Sequence, residues 1–242
     1  MPDSRKHRGP HPADRELFAS DQVDKLRTAV THLSWLLSRD YAEPSAIALV
    51  GNRFQLQSRQ RDAVRRASCS DQQRLQRLKS HVATEQLSDN TLHIDGFNLI
   101  TTIEAALGGG VIFCGRDGCY RDASSMHGNY RKVAETRPAI EAIGQTLAKL
   151  NVSCCRWYLD KPVSNSGRLC QVIREISRVN GWNWEAQLEN DPDAVLSHSG
   201  EIVVSADSMI LDAADNWFNL ARHVIDSAIQ RAWLVRLAFT DT

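Results

Sequence analysis

Long apolar runs are missing from the 242-residue sequence. No stretch approaches the roughly 18 to 20 consecutive apolar residues that a bilayer-crossing helix needs. The basic residues of MPDSRKHRGPHPADRE are likewise followed by no apolar segment of the kind a secretory signal requires. The expectation is a cytoplasmic protein with no membrane partner. Net charge is also missing, since 29 Lys and Arg balance 29 Asp and Glu. Cysteine is sparse: six residues stand without regular spacing and Cys154 adjoins Cys155, which argues against a disulfide framework. Cys114 and Cys119 have no second ligand pair at zinc-site spacing. Neither G-x-G-x-x-G nor a Walker lysine is present, so Gly108 to Gly110 read as a helix terminator and not as a nucleotide cradle. The chain has no internal repeat and no low-complexity tract.

What is present divides into two halves. Residues 1–90 carry 15 Lys and Arg against 11 Asp and Glu, and the remainder carries 14 against 18. The first residues, to about Pro12, are polar and proline-punctuated, and read as a loose tail. Leu26, Val30, Leu33 and Leu37 then recur at helical spacing, with Ser20 or Asp21 as N-cap and an end near Tyr41. Pro44 punctuates, AIALVGNRF forms a short segment around a glycine, and SRQRDAVRRASCSDQQRLQRLKSHVATEQL predicts one or two arginine-rich helices. Arg53, Arg59, Arg61, Arg65 and Arg66 make this front attractive to a polyanion, or else a solvated face paired with acids of the second half.

After Asp89 apolar strands alternate with amphipathic helices, which predicts a parallel α/β sheet flanked by helices and preceded by a small all-α basic domain. The division falls at 1–88 and 89–242. TLHIDGFNLI, VIFCG, SCCRWYLD and EIVVSAD are the expected strands, and WNWEAQLE is a possible edge.

Ligands of open parallel sheets bind outside the carboxyl ends of the strands. Those ends are acidic here, with Asp95, Asp160 and Asp207 closing three strands and Asp212 five residues beyond the last. NDPDAVL adds Asp193 on a short helical turn, and Asp191, before a proline, reads as a turn or cap residue. Each acid also has a structural reading as a cap. Carboxylates converging on one crevice repel one another and call for a divalent cation, Mg²⁺ or Mn²⁺ for oxygen ligands.

IDGFN at 94–98, DAVL at 193–196 and VVSADS at 203–208 resemble the PIN-like nuclease superfamily, within it the NYN-type branch, over about residues 89–232. YLD at 158–160 is similar to a strand end of that branch. The resemblance implies Asp95 as the first metal-binding acid, Asp193 as the acid of the D-x-x-L turn and Asp207 as the acid of the last strand. It implies a metal-dependent ribonuclease with RNA as partner, and Asn98 orienting a carboxylate or touching substrate. One departure stands out: Met209 occupies the position of a second acid, S-x-D-x-D, and Asp212 is the nearest replacement. The alternatives are a catalytically weak or inactive RNA-binding protein of the same fold, or a small-molecule phosphohydrolase.

Around the acids, GRDGCYRDASSMHGNYRK offers Arg121 as an RNA contact and His127 as a weak general-base candidate. In KPVSNSG, Lys161, Ser164 and Ser166 could contact phosphate at a helix start, the bland reading being ordinary capping by either serine. Association into a homo-oligomer is left open.

Overall fold

A computed structural model describes residues 7–123 and 130–239. His127 lies outside these described residues. The front is helical: α1 (Asp14–Leu17), α2 (Ser20–Leu37), α3 (Glu43–Arg53), α4 (Ser58–Ala67) and α5 (Asp71–Ser80). Leu26, Val30 and Leu33 of α2 are buried as their spacing predicts. The N-cap is Ala19 and not Ser20 or Asp21, and the helix ends at Leu37, four residues before Tyr41. AIALVGNRF is part of a full helix, α3. Its Gly51 is buried beneath the Arg61 guanidinium, where a Cβ would stand 2.4 Å from Nη1.

The expected loose tail is corrected at its described end. Arg8 Nε donates to Glu104 at 2.6 Å, its backbone N–H donates to Glu135, and His7 Nδ1 meets Glu135 at 2.8 Å. Glu104 is fully buried, and a buried carboxylate requires a counter-charge or hydrogen bonds. Arg8, Tyr130 and Thr136 supply them.

The α/β part runs β1 (Thr91–Asp95), α6 (Gly96–Leu107), β2 (Val111–Cys114), β3 (Tyr120–Asp122), α7 (Thr136–Lys149), β4 (Cys154–Asp160), α8 (Ser166–Asn180), β5 (Trp184–Glu189), α9 (Pro192–Ser197), β6 (Ile202–Val204), α10 (Ser208–Ala213), α11 (Leu220–Ala228) and β7 (Trp233–Arg236). The main sheet is parallel, in the order β5-β4-β1-β6. Strands β1, β4 and β6 are largely covered on both faces, which is why they read as apolar runs, whereas the edge strand β5 alternates and is only partly buried. Leu92, Ile94, Trp157 and Val204 enter the core with α6, α7, α8 and α11, while Tyr158 and Val203 face α9 and α10.

VIFCG does not join this sheet. As β2 it pairs antiparallel with β3 and parallel with β7 in a second, three-stranded sheet. Val111 and Phe113 of β2 and Val235 of β7 close the core of the N-terminal helices beside Leu26, Leu33 and Val64. The all-helical front and the second sheet therefore share one apolar core. WNWEAQLE supplies the edge strand β5.

This order fixes where a crevice opens. The chain leaves β1 for β4 and β5 on one side, then returns to β6 on the other. Beyond the carboxyl ends of β1 and β6 the connections diverge, and α6 and α10 start there on opposite faces.

Candidate metal centre

Asp95 is the last residue of β1 and the N-cap of α6, where its Oδ1 accepts from the Asn98 N–H at 3.2 Å. Gly96 follows because α6 starts against β4: a Cβ there would stand 2.6 Å from Leu159 Cδ2 and 3.0 Å from the Tyr158 carbonyl oxygen. Across the switch point, Ser205 Oγ donates to Asp95 Oδ2 at 2.8 Å and accepts the Asp207 N–H at 3.0 Å. Asn98 Oδ1 accepts the Ala206 N–H at 3.0 Å. Asp207 caps α10 through the Met209 N–H at 2.8 Å. Three side chains of the I-D-G-F-N and S-A-D segments thus bind the end of β1 to the loop after β6.

Among the described residues, no basic side chain compensates the charge at this junction. Asp95 is buried, and burial first, with the charges of Asp193 and Asp207 added, outweighs its two hydrogen bonds and pushes its carboxyl up to about 7. Asp193, in the first turn of α9, is raised by desolvation and then by Asp207, Asp160 and Asp191. Asp160, at the end of β4, is raised by desolvation and then by Asp191. Among the described residues, no ion pair engages Asp95, Asp160, Asp193 or Asp207. Asp191 is a cap, accepting from the Ala194 N–H at 3.0 Å.

Other predicted residues lie elsewhere. Asp212 faces α5, where Arg77 meets its Oδ1 at 2.7 Å and Gln73 Nε2 meets its Oδ2 at 2.6 Å. An ion-paired carboxylate with both oxygens engaged does not replace the acid missing at Met209, whose own side chain is exposed. Arg121, expected as an RNA contact, is buried on β3, with Nη1 and Nη2 on Asp117 at 2.9 and 2.6 Å and Nε on the Ala206 carbonyl at 2.8 Å. A guanidinium needs donors' partners on every side once water is removed, and here the protein supplies them.

Most arginines of the front are half-buried or exposed but engaged within the protein. Arg59 pairs with buried Asp14 at 2.7 Å, Arg61 donates to the Leu56 carbonyl and Asn52 Oδ1, Arg66 donates to the Asp122 carbonyl, and Arg65 reaches Glu43 at 3.6 Å. Arg53 is exposed on the last turn of α3. Helix α8 is capped by neither serine. Asn165 is its N-cap, in the left-handed region at φ 67°, and makes no side-chain cap bond. Ser166 is buried and donates to the Lys161 carbonyl, whereas Lys161 and Ser164 are exposed.

Two groups in this arrangement escape sequence reasoning. Ser205 is visible in VVSADS, but only the fold brings it to Asp95, 110 residues away in sequence. Asp117, in a G-R-D-G turn, is buried between Arg77 and Arg121.

Comparison with known families then places the chain. The family described as Domain of unknown function (DUF5616) matches residues 84–223, more than half of the sequence. The chain belongs to the DUF5616 family. Its matched span contains the whole main sheet and all the strand-end acids. A second description, Protein of unknown function (DUF434), matches residues 25–79, within α2 to α5. The chain is similar to "Uncharacterized protein MJ0935" of Methanocaldococcus jannaschii, 26% identical over 201 residues that cover 83% of this chain and 93% of that protein. No solved structure matches it. Among the described residues, no helix is long and apolar enough to cross a membrane.

Proposed function

We propose that this DUF5616 protein is a PIN-like, NYN-type metal-dependent ribonuclease, with Asp95, Asp193 and Asp207 as its principal acids and Asp160 at the edge of the same field. One observation carries the reading: a carboxylate at a topological switch point, raised first by burial and then by two neighbouring carboxylates, and relieved by no basic side chain among the described residues. Structural ion-pair networks depress such groups, as at Asp117. Sites that await a cation or a proton raise them.

The donor set fits Mg²⁺ or Mn²⁺, being carboxylate oxygens with a hydroxyl behind them and no thiolate or imidazole. Among the described residues, no three His, Cys, Asp or Glu side chains are grouped closely enough to hold an ion as they stand. An ion would be held by drawing Asp193 and Asp207 towards Asp95. A divalent ion bound there supplies a lowered pKa for water and charge stabilisation on a phosphodiester. The chain's residues do the rest. Asn98 and Ser205 fix Asp95 and the Ala206 peptide relative to one another, and Asp95 holds a proton near neutrality until a cation displaces it.

RNA contacts belong to the rim of this crevice. Lys161 and Ser164 are exposed between β4 and α8, and the Tyr130 N–H donates to the Ser164 carbonyl at 3.3 Å. Exposed Arg131 and Lys132 follow Tyr130 directly. Lys161, Arg131 and Lys132 neutralise phosphate and Ser164 offers a hydrogen bond, so affinity falls as salt rises.

A second reading, an RNA-binding protein of weak or no catalytic activity, is favoured by Met209 and by the engagement of Asp212 with Arg77. End-labelled single-stranded RNA with Mn²⁺ or Mg²⁺ separates the two. Wild type is expected to cleave only with metal, and Asp95→Asn is expected to lose about 100-fold or more of the rate. Binding without cleavage by both proteins supports the second reading, and metal-independent cleavage by both contradicts the first.

A further inference from the structure

Behind the acids lies a buried charge chain that joins the helical front to the crevice. Arg77 of α5 and Arg121 of β3 share Asp117, with Arg77 Nη1 and Arg121 Nη2 each 2.6 Å from its Oδ2. The Cys119 N–H donates to Asp117 Oδ1 at 3.1 Å. Arg77 continues to Asp212 of α10 at 2.7 Å and donates to the Ser208 carbonyl at 3.3 Å. The Arg77 carbonyl itself accepts from Trp217 Nε1 at 2.7 Å. All three central side chains are almost wholly buried, and among the described residues nothing in the chain contacts Asp95 or Asp193 directly.

The charge chain ends on the backbone of one residue. Ala206 lies between Ser205, which donates to Asp95, and Asp207, the acid of the last strand. Its N–H is taken by Asn98 Oδ1 at 3.0 Å and its carbonyl by Arg121 Nε at 2.8 Å. The N–H belongs to the 205–206 peptide and the carbonyl to the 206–207 peptide, so the two planes flanking the Ala206 Cα are held from α6 on one side and β3 on the other, and the residue has little freedom to rotate about φ and ψ. The direction in which Ser205 and Asp207 leave it is set accordingly. Arg77 grips the next turn through the Ser208 carbonyl and Asp212.

We infer that Arg121 is a positioning residue for the acid-bearing loop 205–208, and that Asp117 and Arg77 transmit its orientation from the N-terminal helices. The inference rests on the acid site read above as the reacting centre, but its first consequence is structural and independent of any activity. Lysine at 121 retains a charge for Asp117 but lacks the planar fork that reaches Asp117 and Ala206 together. The helical front is thereby part of the site's support: it fixes the acids from behind.

The test is Arg121→Lys in the full chain, read in two ways. Amide hydrogen exchange at Ala206 and Asp207 is expected to rise at least tenfold, with Ile94 and Leu159 in the neighbouring strands unchanged. In metal-dependent RNA cleavage, kcat is expected to fall about 10- to 100-fold and the Mn²⁺ midpoint to rise about tenfold, with KM for RNA within a factor of two. Unchanged exchange at 206 and 207 overturns the inference, whether or not wild type cleaves RNA. Faster exchange with no cleavage by wild type upholds the positioning role and removes the nuclease reading alone. A fall in kcat matched by an equal rise in KM overturns it too, because Arg121 would then act on substrate. Should Arg121→Lys fail to fold, Arg77→Lys is read by the same exchange measurement, with a rise of about threefold or more expected at Ser208 and Asp207.

Discussion

Replacing Asp95 by asparagine is expected to stabilise the metal-free protein by roughly 4 kcal/mol at pH 8, at 1.36 kcal/mol for each unit by which the carboxyl is raised. The sign follows from proton linkage. The folded carboxyl titrates at about 7 and the unfolded one at 3.8, so between those values the folded state binds more protons. Stability is lost as pH rises through that window and stays low above it. Asparagine removes the charge yet keeps an oxygen for the Asn98 N–H. Urea unfolding in EDTA at pH 5 and pH 8 checks this: wild type should lose stability over the interval and the variant should lose far less. A variant less stable than wild type at pH 8 would mean that Asp95 is a structural cap and nothing more.

Asp117→Asn is expected to do the reverse, destabilising the fold by about 3–5 kcal/mol at neutral pH, because it leaves two buried guanidiniums without their shared partner. Burial alone would raise this carboxyl. The charge and hydrogen bonds of Arg121 and the charge of Arg77 outweigh it and hold the group well below the usual carboxylate range. A depressed folded value gives stability that is present above the unfolded value and is lost as pH falls through the folded one. The penalty of the substitution should therefore persist from pH 8 to pH 4 and shrink only in stronger acid. Equilibrium denaturation across that range measures it. Two aspartates of one domain, both buried, thus respond to neutralisation with opposite signs. The difference is whether arginine stands beside them.

The contrast also explains what could and could not be read from the sequence. Strands β1, β4 and β6 and the helices between them are legible, since apolar runs ending in aspartate and 3.6-residue periodicity are local signals. WNWEAQLE, read as an added edge, is the edge strand β5. VIFCG is different: four buried residues look alike in either sheet, and only pairing with β7, more than 100 residues on, decides which one they join. The internal glycine of α3 disguises a helix whose Gly51 serves contact with Arg61.

At the site, a carboxylate at a strand end is visible in the sequence, but its charge balance is not. Asp95 and Asp212 both read as candidate ligands, and their separation rests on Arg77 reaching Asp212 from 135 positions earlier. Arginines are equally ambiguous. Arg59, Arg61 and Arg66 look like a polyanion-binding stripe in one dimension, yet each is turned to an acid or a carbonyl in three. Arg121 is read as a surface contact because its loop lacks periodicity, whereas three residues of that loop form β3. Long-range pairing of charge leaves no periodic trace, so polar cores are the least legible part of this chain.

The central claim, that Asp95, Asp193 and Asp207 form a divalent-cation site at the switch point between β1 and β6, is tested most directly by calorimetric titration of Mn²⁺ into wild type and Asp95→Asn at pH 6.5 and pH 8. Wild type is expected to bind Mn²⁺ at least tenfold more tightly than the variant at pH 8 and to release a proton on binding at pH 6.5, as the ion displaces the one on Asp95. Equal affinity of the two proteins for Mn²⁺, with no proton released, would contradict it.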